Sequence, residues 1–272
     1  MSRLKFSQEI PVNYVQDLHP YDDQGFVIAP YLLKYPRYAE LYRKYYVEKG
    51  KRVLVDNGAY ELGHSVSVDD LYDALELLDA SAEDVWILLP DVPCQMQASL
   101  DATLHARDLF HGSGFNLAAV VQGATVKEQW ESYVKLHNEG FELLALSFLW
   151  NRPQFLKEKG DWLDRDISTH LLGCYEPKEI MWLRQQNWDI NFSIDTVKPL
   201  KAAMLGKHVK DYSRGDLDKK WDPTVIIEDD QLKQYLTNAE WMQNICNRMS
   251  MDIQDLKDYT RPLKHASDSR AI

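Results

Sequence analysis

The chain has 272 residues, of which 45% are hydrophobic and 27% charged, an ordinary globular composition with enough apolar material for one large core. Its formal charge of −11 excludes a surface coated in basic residues, although a single basic face is compatible with that sum. No apolar run approaches the ~18–20 residues of a membrane span. The first residues carry no apolar leader segment, and Cys94, Cys174 and Cys246 are too scattered for a disulfide framework or a CxxC metal knuckle. A reducing cytoplasm is expected, with no membrane partner.

The opening stretch, 1–24, is polar and reads as an N-terminal extension in which Leu4 and Phe6 begin a short strand or a lid. Apolar runs bounded by turn residues then recur along the chain, the signature of buried strands. They fall at 25–30, 53–55, 85–89, 117–121, 143–146, 170–173 and 190–194, with a weak eighth at 225–227. Helical spacing fills the intervals. In 35–48, Tyr38, Leu41, Tyr42, Tyr45 and Tyr46 recur at a 3–4 residue period, a packing stripe. Ser67 is placed to cap a helix over 68–78, with Asp69 and Asp70 in its first turn, where the helix dipole favours acids. Further helices are expected over 95–110, 125–138 with Gly140 as its stop, 176–186, 199–205 and 230–248. The stretch 150–167 reads as a long polar loop with one helical turn.

Strands alternating with helices at roughly 30-residue intervals mean βαβ units and a parallel sheet. Seven clear strands and one weak one predict an α/β fold of the (β/α)8 TIM-barrel class with a C-terminal helical extension. In domain terms this is one unit, with the barrel over 25–228 and helices and tail over 229–272. Neither GxGxxG nor GxxxxGK[ST] is present, so the phosphate loops of the common nucleotide folds are missing and no cofactor is expected.

In a parallel barrel the active site lies at the C-terminal ends of the strands. Those ends carry Asp56, Asp91, Gln122, Ser147, Gly173 and Asp195. Carboxylates are costly to bury together, so three of them at one mouth call for a purpose beyond capping turns. Gly58 permits a sharp turn or a close approach of backbone to ligand, and Tyr60 offers a flat face to a planar ring. A metal is one use for such a mouth. The histidines that would join it, His64, His170 and His208, show neither HxH nor HExxH spacing, and no metal is expected. A guanine-like base is the other use. A carboxylate accepts from its ring N–H and exocyclic amine, an amide pairs with its carbonyl, and a remaining carboxylate can attack a sugar's anomeric carbon.

The segments Asp56-Asn57-Gly58-Ala59-Tyr60, Pro90-Asp91, Val121-Gln122-Gly123, His170-Leu171-Leu172-Gly173 with Glu176-Pro177, and Ser193-Ile194-Asp195-Thr196-Val197-Lys198-Pro199 resemble, in order and spacing, the tRNA-guanine transglycosylase family. The resemblance implies base exchange: Asp195 displaces guanine to form a covalent glycosyl-enzyme, which a 7-deazaguanine of the preQ0 type then resolves. It makes Asp56 the acid/base helper. Asp91 and Gln122 become the base-recognition pair and Tyr60 the stacking ring, with Asn57, Gly123, Ser147 and Gly173 completing the base-binding set. The family's Gly-Leu-Ala-Val-Gly motif is replaced here by Ala145-Leu146-Ser147-Phe148-Leu149, and the CxCxxC zinc site of the tRNA enzymes has no counterpart. A compact, zinc-free chain is most similar to the phage-type 7-deazaguanine DNA transglycosylases, which implies DNA and a free 7-deazaguanine as partners and a host cytoplasm as the setting. A small tRNA-acting enzyme, a non-catalytic nucleic-acid-binding barrel and a metal-dependent hydrolase are the alternatives. Either polynucleotide would run across the basic segment after Asp195, on Lys198, Lys201, Lys207, Lys210 and Arg214.

Overall fold

The computed structural model describes residues 4–148, 151–174, 177–186, 188, 190–212 and 222–247. Their strands are β1 (Lys5–Phe6), β2 (Gly25–Ile28), β3 (Val53–Asp56), β4 (Val85–Leu88), β5 (Asn116–Val121), β6 (Leu143–Ser147), β7 (Ser168–Leu172) and β8 (Phe192–Ile194). They form one eight-stranded sheet in the order β1-β8-β7-β6-β5-β4-β3-β2, and every pairing is parallel. The sheet curls until its edges meet. The Asp23 N–H donates to the Phe6 carbonyl at 2.8 Å, and the Phe6 N–H donates to the Asp23 carboxylate at 3.0 Å. One aspartate thus stitches β1 to the start of β2, and the fold is of the (β/α)8 TIM-barrel class.

Helices follow the strands: α1 (Val15–Leu18), α2 (Ala29–Lys34), α3 (Pro36–Tyr45), α4 (Ala59–Leu62), α5 (Val68–Leu78), α6 (Met96–Leu109), α7 (Val126–Asn138), α8 (Arg152–Lys159), α9 (Pro177–Gln185), α10 (Lys198–Met204) and α11 (Asp229–Asn247). Local chemistry sets their ends. Ser67 and Thr125 accept from the Asp70 and Glu128 N–H groups as N-caps of α5 and α7, and Gly140 takes a left-handed φ of 86° just past α7. The tyrosine stripe of α3 packs inward and its hydroxyls reach the barrel backbone. Tyr38 donates to the Ile10 carbonyl at 2.8 Å and Tyr42 to the Phe26 carbonyl at 2.7 Å, while Tyr46, just past the helix, donates to Asp22 at 2.7 Å.

Side chains alternate along each strand, so each strand feeds two cores. Val27, Val55, Ile87, Ala119 and Leu144 face the helices. Phe26, Ile28, Leu54, Trp86, Leu88, Val120 and Ala145 fill the barrel interior. The same parity turns the next residues of several strands, Asp56, Gln122 and Ser147, toward the barrel's C-terminal mouth.

Three expectations need correction. Residues 225–227 are not a strand: the Ile227 N–H instead donates to the Tyr14 hydroxyl at 2.7 Å. The position beside β8 is taken by β1, whose Lys5 and Phe6 register against Ser193 and Ile194, so the N-terminal stretch belongs to the barrel and is no appendage to it. The 150–167 segment holds two turns of helix, α8, because Arg152 is drawn into the protein interior and anchors the first of them.

Candidate active site

The mouth of the barrel is built from the residue that ends each strand and the turn that follows it. After β3, the Asp56 carboxylate accepts from the Gly58 N–H at 3.0 Å. Gly58 sits at φ 75°, and a Cβ there would lie 2.6 Å from the Pro30 ring, so the turn requires glycine. Asn57, between them, is fully committed. Its side-chain amide donates to the Leu89 carbonyl and to Asp91 Oδ1, both at 2.8 Å, and its oxygen accepts from the Ala59 N–H at 2.9 Å. It was expected to touch a base; the structure makes it the post that fixes Asp91.

Asp91 is buried, and its second oxygen accepts from Gln122 Nε2 at 2.6 Å. The Gln122 oxygen accepts from the Cys94 N–H at 2.9 Å, which settles the orientation of the amide. Ser65 braces the other side, its hydroxyl donating to the Asp91 carbonyl at 2.7 Å and accepting from the Asp91 N–H at 3.0 Å. Burial pushes the Asp91 carboxyl up, against the pull of the Asn57 and Gln122 donors. Two oxygens offer about four lone-pair positions, of which these donors use two, and Gln122 Nε2 retains a second hydrogen. The pair therefore still presents both an acceptor edge and a donor. Gly123 serves packing: a Cβ there would meet the Gln129 backbone nitrogen of α7 at 2.7 Å, and no ligand contact is needed to explain it.

On the opposite wall, Asp195 is buried at the end of β8. Its Oδ1 accepts from the Gly173 N–H at 2.9 Å and bonds His170 Nε2 at 3.0 Å. Ser193 Oγ lies 2.8 Å from His170 Nδ1. A carboxylate oxygen only accepts, so the Nε2 of a neutral His170 carries the hydrogen and its Nδ1 accepts from Ser193. His170 was weighed as a metal ligand; here it orients Asp195 and stacks on Phe26 at a ring separation of 5.7 Å. His64 bonds the Ser65 carbonyl and His208 caps the Lys210 N–H, so the three histidines do not converge. Among the described residues, no three His, Cys, Asp or Glu side chains are grouped to hold a metal ion.

The Gly173 turn needs both its freedom and its lack of a side chain. Its φ is 59°, and a Cβ would press to 2.6 Å from the Phe148 ring. Phe148 in turn meets Tyr60 edge to face at 5.1 Å, and Tyr60, in the turn of helix after β3, is 50% exposed. Ser147 ends β6, half-buried, beneath this pair. Beneath the turn lies Arg152, 2% exposed. Its guanidinium forks onto Glu179, with both bonds at 2.7 Å, and donates to the Leu146 and Leu172 carbonyls at the ends of β6 and β7.

A second carboxyl stands against Asp195 that the sequence reading left in an irregular extension. Glu9 continues β1, its N–H donating to the Thr196 carbonyl at 3.3 Å, and its side chain shares a hydrogen bond with that of Asp195. Burial, then the charge of Asp195, push the Glu9 carboxyl well up. Burial, then the charge of Glu61, do the same to Asp56. The signal for Glu9 lay in the alternation Lys5, Phe6, Ser7, Gln8, Glu9. Phe6 faces the helices, so Ser7 and Glu9 do not pair with it: Glu9 faces the interior with Asp195.

The expected phosphate track is only partly exposed. Lys198 is buried, with its ammonium 5.5 Å from the centre of the Tyr212 ring, and so leaves the track. Lys201 and Lys207 are half-buried and Lys210 is exposed; Arg214 lies outside the described residues.

No protein-family model matches the chain, and no curated protein matches it. Among solved structures it is similar to the phosphoenolpyruvate phosphomutase from Streptomyces platensis subsp. rosaceus, with a TM-score of 0.47, 11% identity and coverage of 76% of this chain and 80% of that one. It is also similar to the N-acetylneuraminate lyase from Mycoplasma synoviae, with a TM-score of 0.46, 9% identity and coverage of 89% of this chain and 97% of that one.

Proposed function

We propose that this chain is a base-exchange transglycosylase that replaces guanine in DNA with a free 7-deazaguanine through a covalent bond to Asp195. The observation that carries the reading is the opposition of two sets of groups across one barrel mouth. On one wall, Asp91 and Gln122 hold each other at 2.6 Å and offer acceptors and a donor to a purine edge. On the other, Asp195 is fixed by His170 and the Gly173 N–H in a single orientation, as a nucleophile requires. The exposed face of Tyr60 supplies a stacking surface beside them.

In the first half-reaction an Asp195 oxygen bonds to the sugar C1′ as the C1′–N9 bond breaks, and the departing base takes up a proton. In the second, a 7-deazaguanine loses its N9 proton, bonds to C1′ and releases the Asp195 carboxylate. Two inversions give net retention. A duplex guanine must be flipped out to enter the mouth, whereas a single strand enters directly.

The test is to incubate the protein with radiolabelled guanine or preQ0 and either DNA or tRNA, beside an Asp195→Asn variant. Label should enter DNA with the wild-type protein and not with the variant. Label entering tRNA alone would move the substrate to the tRNA alternative, and no label in either polymer would end the transglycosylase reading.

A further inference from the structure

We propose that Glu9 is the proton donor to the departing base and the proton acceptor from the incoming one. This rests on the transglycosylase reading. It moves proton transfer to Glu9 from Asp56, the residue to which the family resemblance gives it.

Three geometric facts carry it. Glu9 and Asp195 are both buried on the interior face, close enough for the charge and hydrogen bonding of Asp195 to act on Glu9, and two carboxyls so placed are best held with one proton between them. Glu9 is buried on the interior side of β1, where its N–H is tied to the Thr196 carbonyl next to Asp195, so the two carboxyls meet by strand register and not by a flexible reach. Asp56 is committed to the turn after β3, its carboxylate accepting from the Gly58 N–H at 3.0 Å. The groups around Glu9 are Asp195 and its partner His170 from β8 and β7, Asp56 from β3, Glu61 from α4, Tyr31 from α2, Tyr38 from α3 and Tyr235 from α11. Apart from His170, all are acids or phenols, so the proton between Glu9 and Asp195 sits among groups that favour keeping it. Asp195 Oδ1 already accepts from His170 Nε2 and the Gly173 N–H, while burial and the Asp195 charge push the Glu9 carboxyl well up, so the shared proton is assigned to Glu9.

The step balances. As an Asp195 oxygen bonds to C1′, the C1′–N9 electron pair moves into the base, the Glu9 O–H bond breaks and its proton passes to a ring nitrogen of the departing guanine. Glu9 becomes a carboxylate at the moment the Asp195 charge is consumed in the ester, so the buried pair carries one negative charge throughout. On the return, the incoming base gives its ring proton to Glu9 as its nitrogen bonds to C1′ and Asp195 leaves as a carboxylate. The resting pair is restored without solvent.

The experiment compares two leaving bases in a short single-stranded DNA, guanine and N7-methylguanine at the same position. The methylated base is already cationic and departs neutral, so it needs no donor. Base release and the covalent Asp195 adduct are followed in single turnover with wild type and Glu9→Gln, whose amide N–H replaces the shared proton but cannot be transferred. Guanine release should slow by about 10²–10⁴-fold in the variant, while N7-methylguanine release changes by less than about tenfold. Equal loss on both bases would mean Glu9 only positions Asp195 and would overturn the assignment, as would unimpaired guanine release. The wild-type protein gives the same answer independently of the variant's folding. Its guanine release should decline as pH rises through the Glu9 pKa while N7-methylguanine release does not, and parallel profiles would overturn the assignment. If wild type releases neither base nor forms an adduct, the transglycosylase reading itself fails and takes this assignment with it.

Discussion

Removing the Arg152 guanidinium should unsettle the barrel mouth more than any surface charge does. Arg152 and Glu179 are only 2% and 3% exposed, and their fork is the means by which both charges are satisfied away from water. In Arg152→Ala the Glu179 carboxylate is left buried without its counter-charge, a loss of about 3–5 kcal/mol for a broken buried pair. The Leu146 and Leu172 carbonyls also lose a charged donor, at about 1–3 kcal/mol each where no water replaces it. These contributions overlap, and a net destabilisation of about 4–6 kcal/mol is expected. With a urea m-value near ~3 kcal/mol/M for a chain of this length, the midpoint should fall by about 1.3–2 M in reversible unfolding followed by tryptophan fluorescence. The double variant Arg152→Met, Glu179→Leu should recover much of the loss, because it removes the stranded charge along with its partner. A single-variant cost below about 1 kcal/mol, or a double variant no more stable than the single one, would refute the account of the pair as a charge-satisfying clamp.

Three further outcomes follow from other parts of the molecule. Burial lifts Asp22 to about 8, against the donors Gln8 and Tyr46, so the folded state holds a proton that the unfolded chain has released above its ordinary carboxylate range. Stability from this group is therefore full below about pH 4 and is lost as pH rises toward 8, by at most about 1.4 kcal/mol per unit; Asp22→Asn should flatten that slope in thermal melts at stepped pH, and an unchanged slope would exclude Asp22 as its source. Asp91→Asn replaces an acceptor with a donor facing Gln122 Nε2, and should weaken competition by free 7-deazaguanine by about 1–3 kcal/mol in a base-exchange assay, with equal inhibition counting against a base-recognition role. Reversing Lys201, Lys207 and Lys210 to Glu should lower DNA affinity and shrink the log K against log salt slope by roughly 0.7 per lost contact on single strands, and an identical slope would remove this face from the interface.

The barrel was legible because its strands are short apolar runs ending in turn residues, a pattern that depends on local sequence alone. The helix caps at Ser67 and Thr125 were legible for the same reason. What escaped was set by distant contacts. Leu4 and Phe6 read from sequence as the start of a short strand or a lid, but not as part of the barrel: the strand Lys5–Phe6 takes its place there because the edge of β8 is open to it and because Asp23 ties its far side to β2. The run 225–227 has β-branched residues suited to a strand, yet Tyr14 reaches it first. At the barrel mouth, the strand-end positions of Asp56, Asp91, Gln122 and Asp195 could be read from the sequence, whereas the hydrogen bonds of Asn57 to Leu89 and Asp91 and the packing of Gly123 against α7 could not. Arg152 was hidden because arginine in a polar stretch looks solvent-facing, and only the ends of β6 and β7 converging with Glu179 draw it inside.

If the chain acts on a polynucleotide, as proposed, the acidity of the mouth bears on how it can receive a polyanion at all. Written at formal charge, Glu9, Asp56, Glu61, Asp91 and Asp195 would set five negative charges around one opening, a field that repels phosphate. Burial works against that count: it drives the carboxyls of Glu9, Asp56 and Asp91 toward their neutral forms. What an incoming strand would then meet carries less negative charge than the formal count of these acids gives. On the transglycosylase reading, the same desolvation that makes these acids tolerable inside the barrel would store the proton that a leaving purine requires. Opening the mouth to water, by truncating Phe148 or Tyr60 for example, should therefore cost chemistry by releasing that proton and restoring the repulsion, even with every acid still in place.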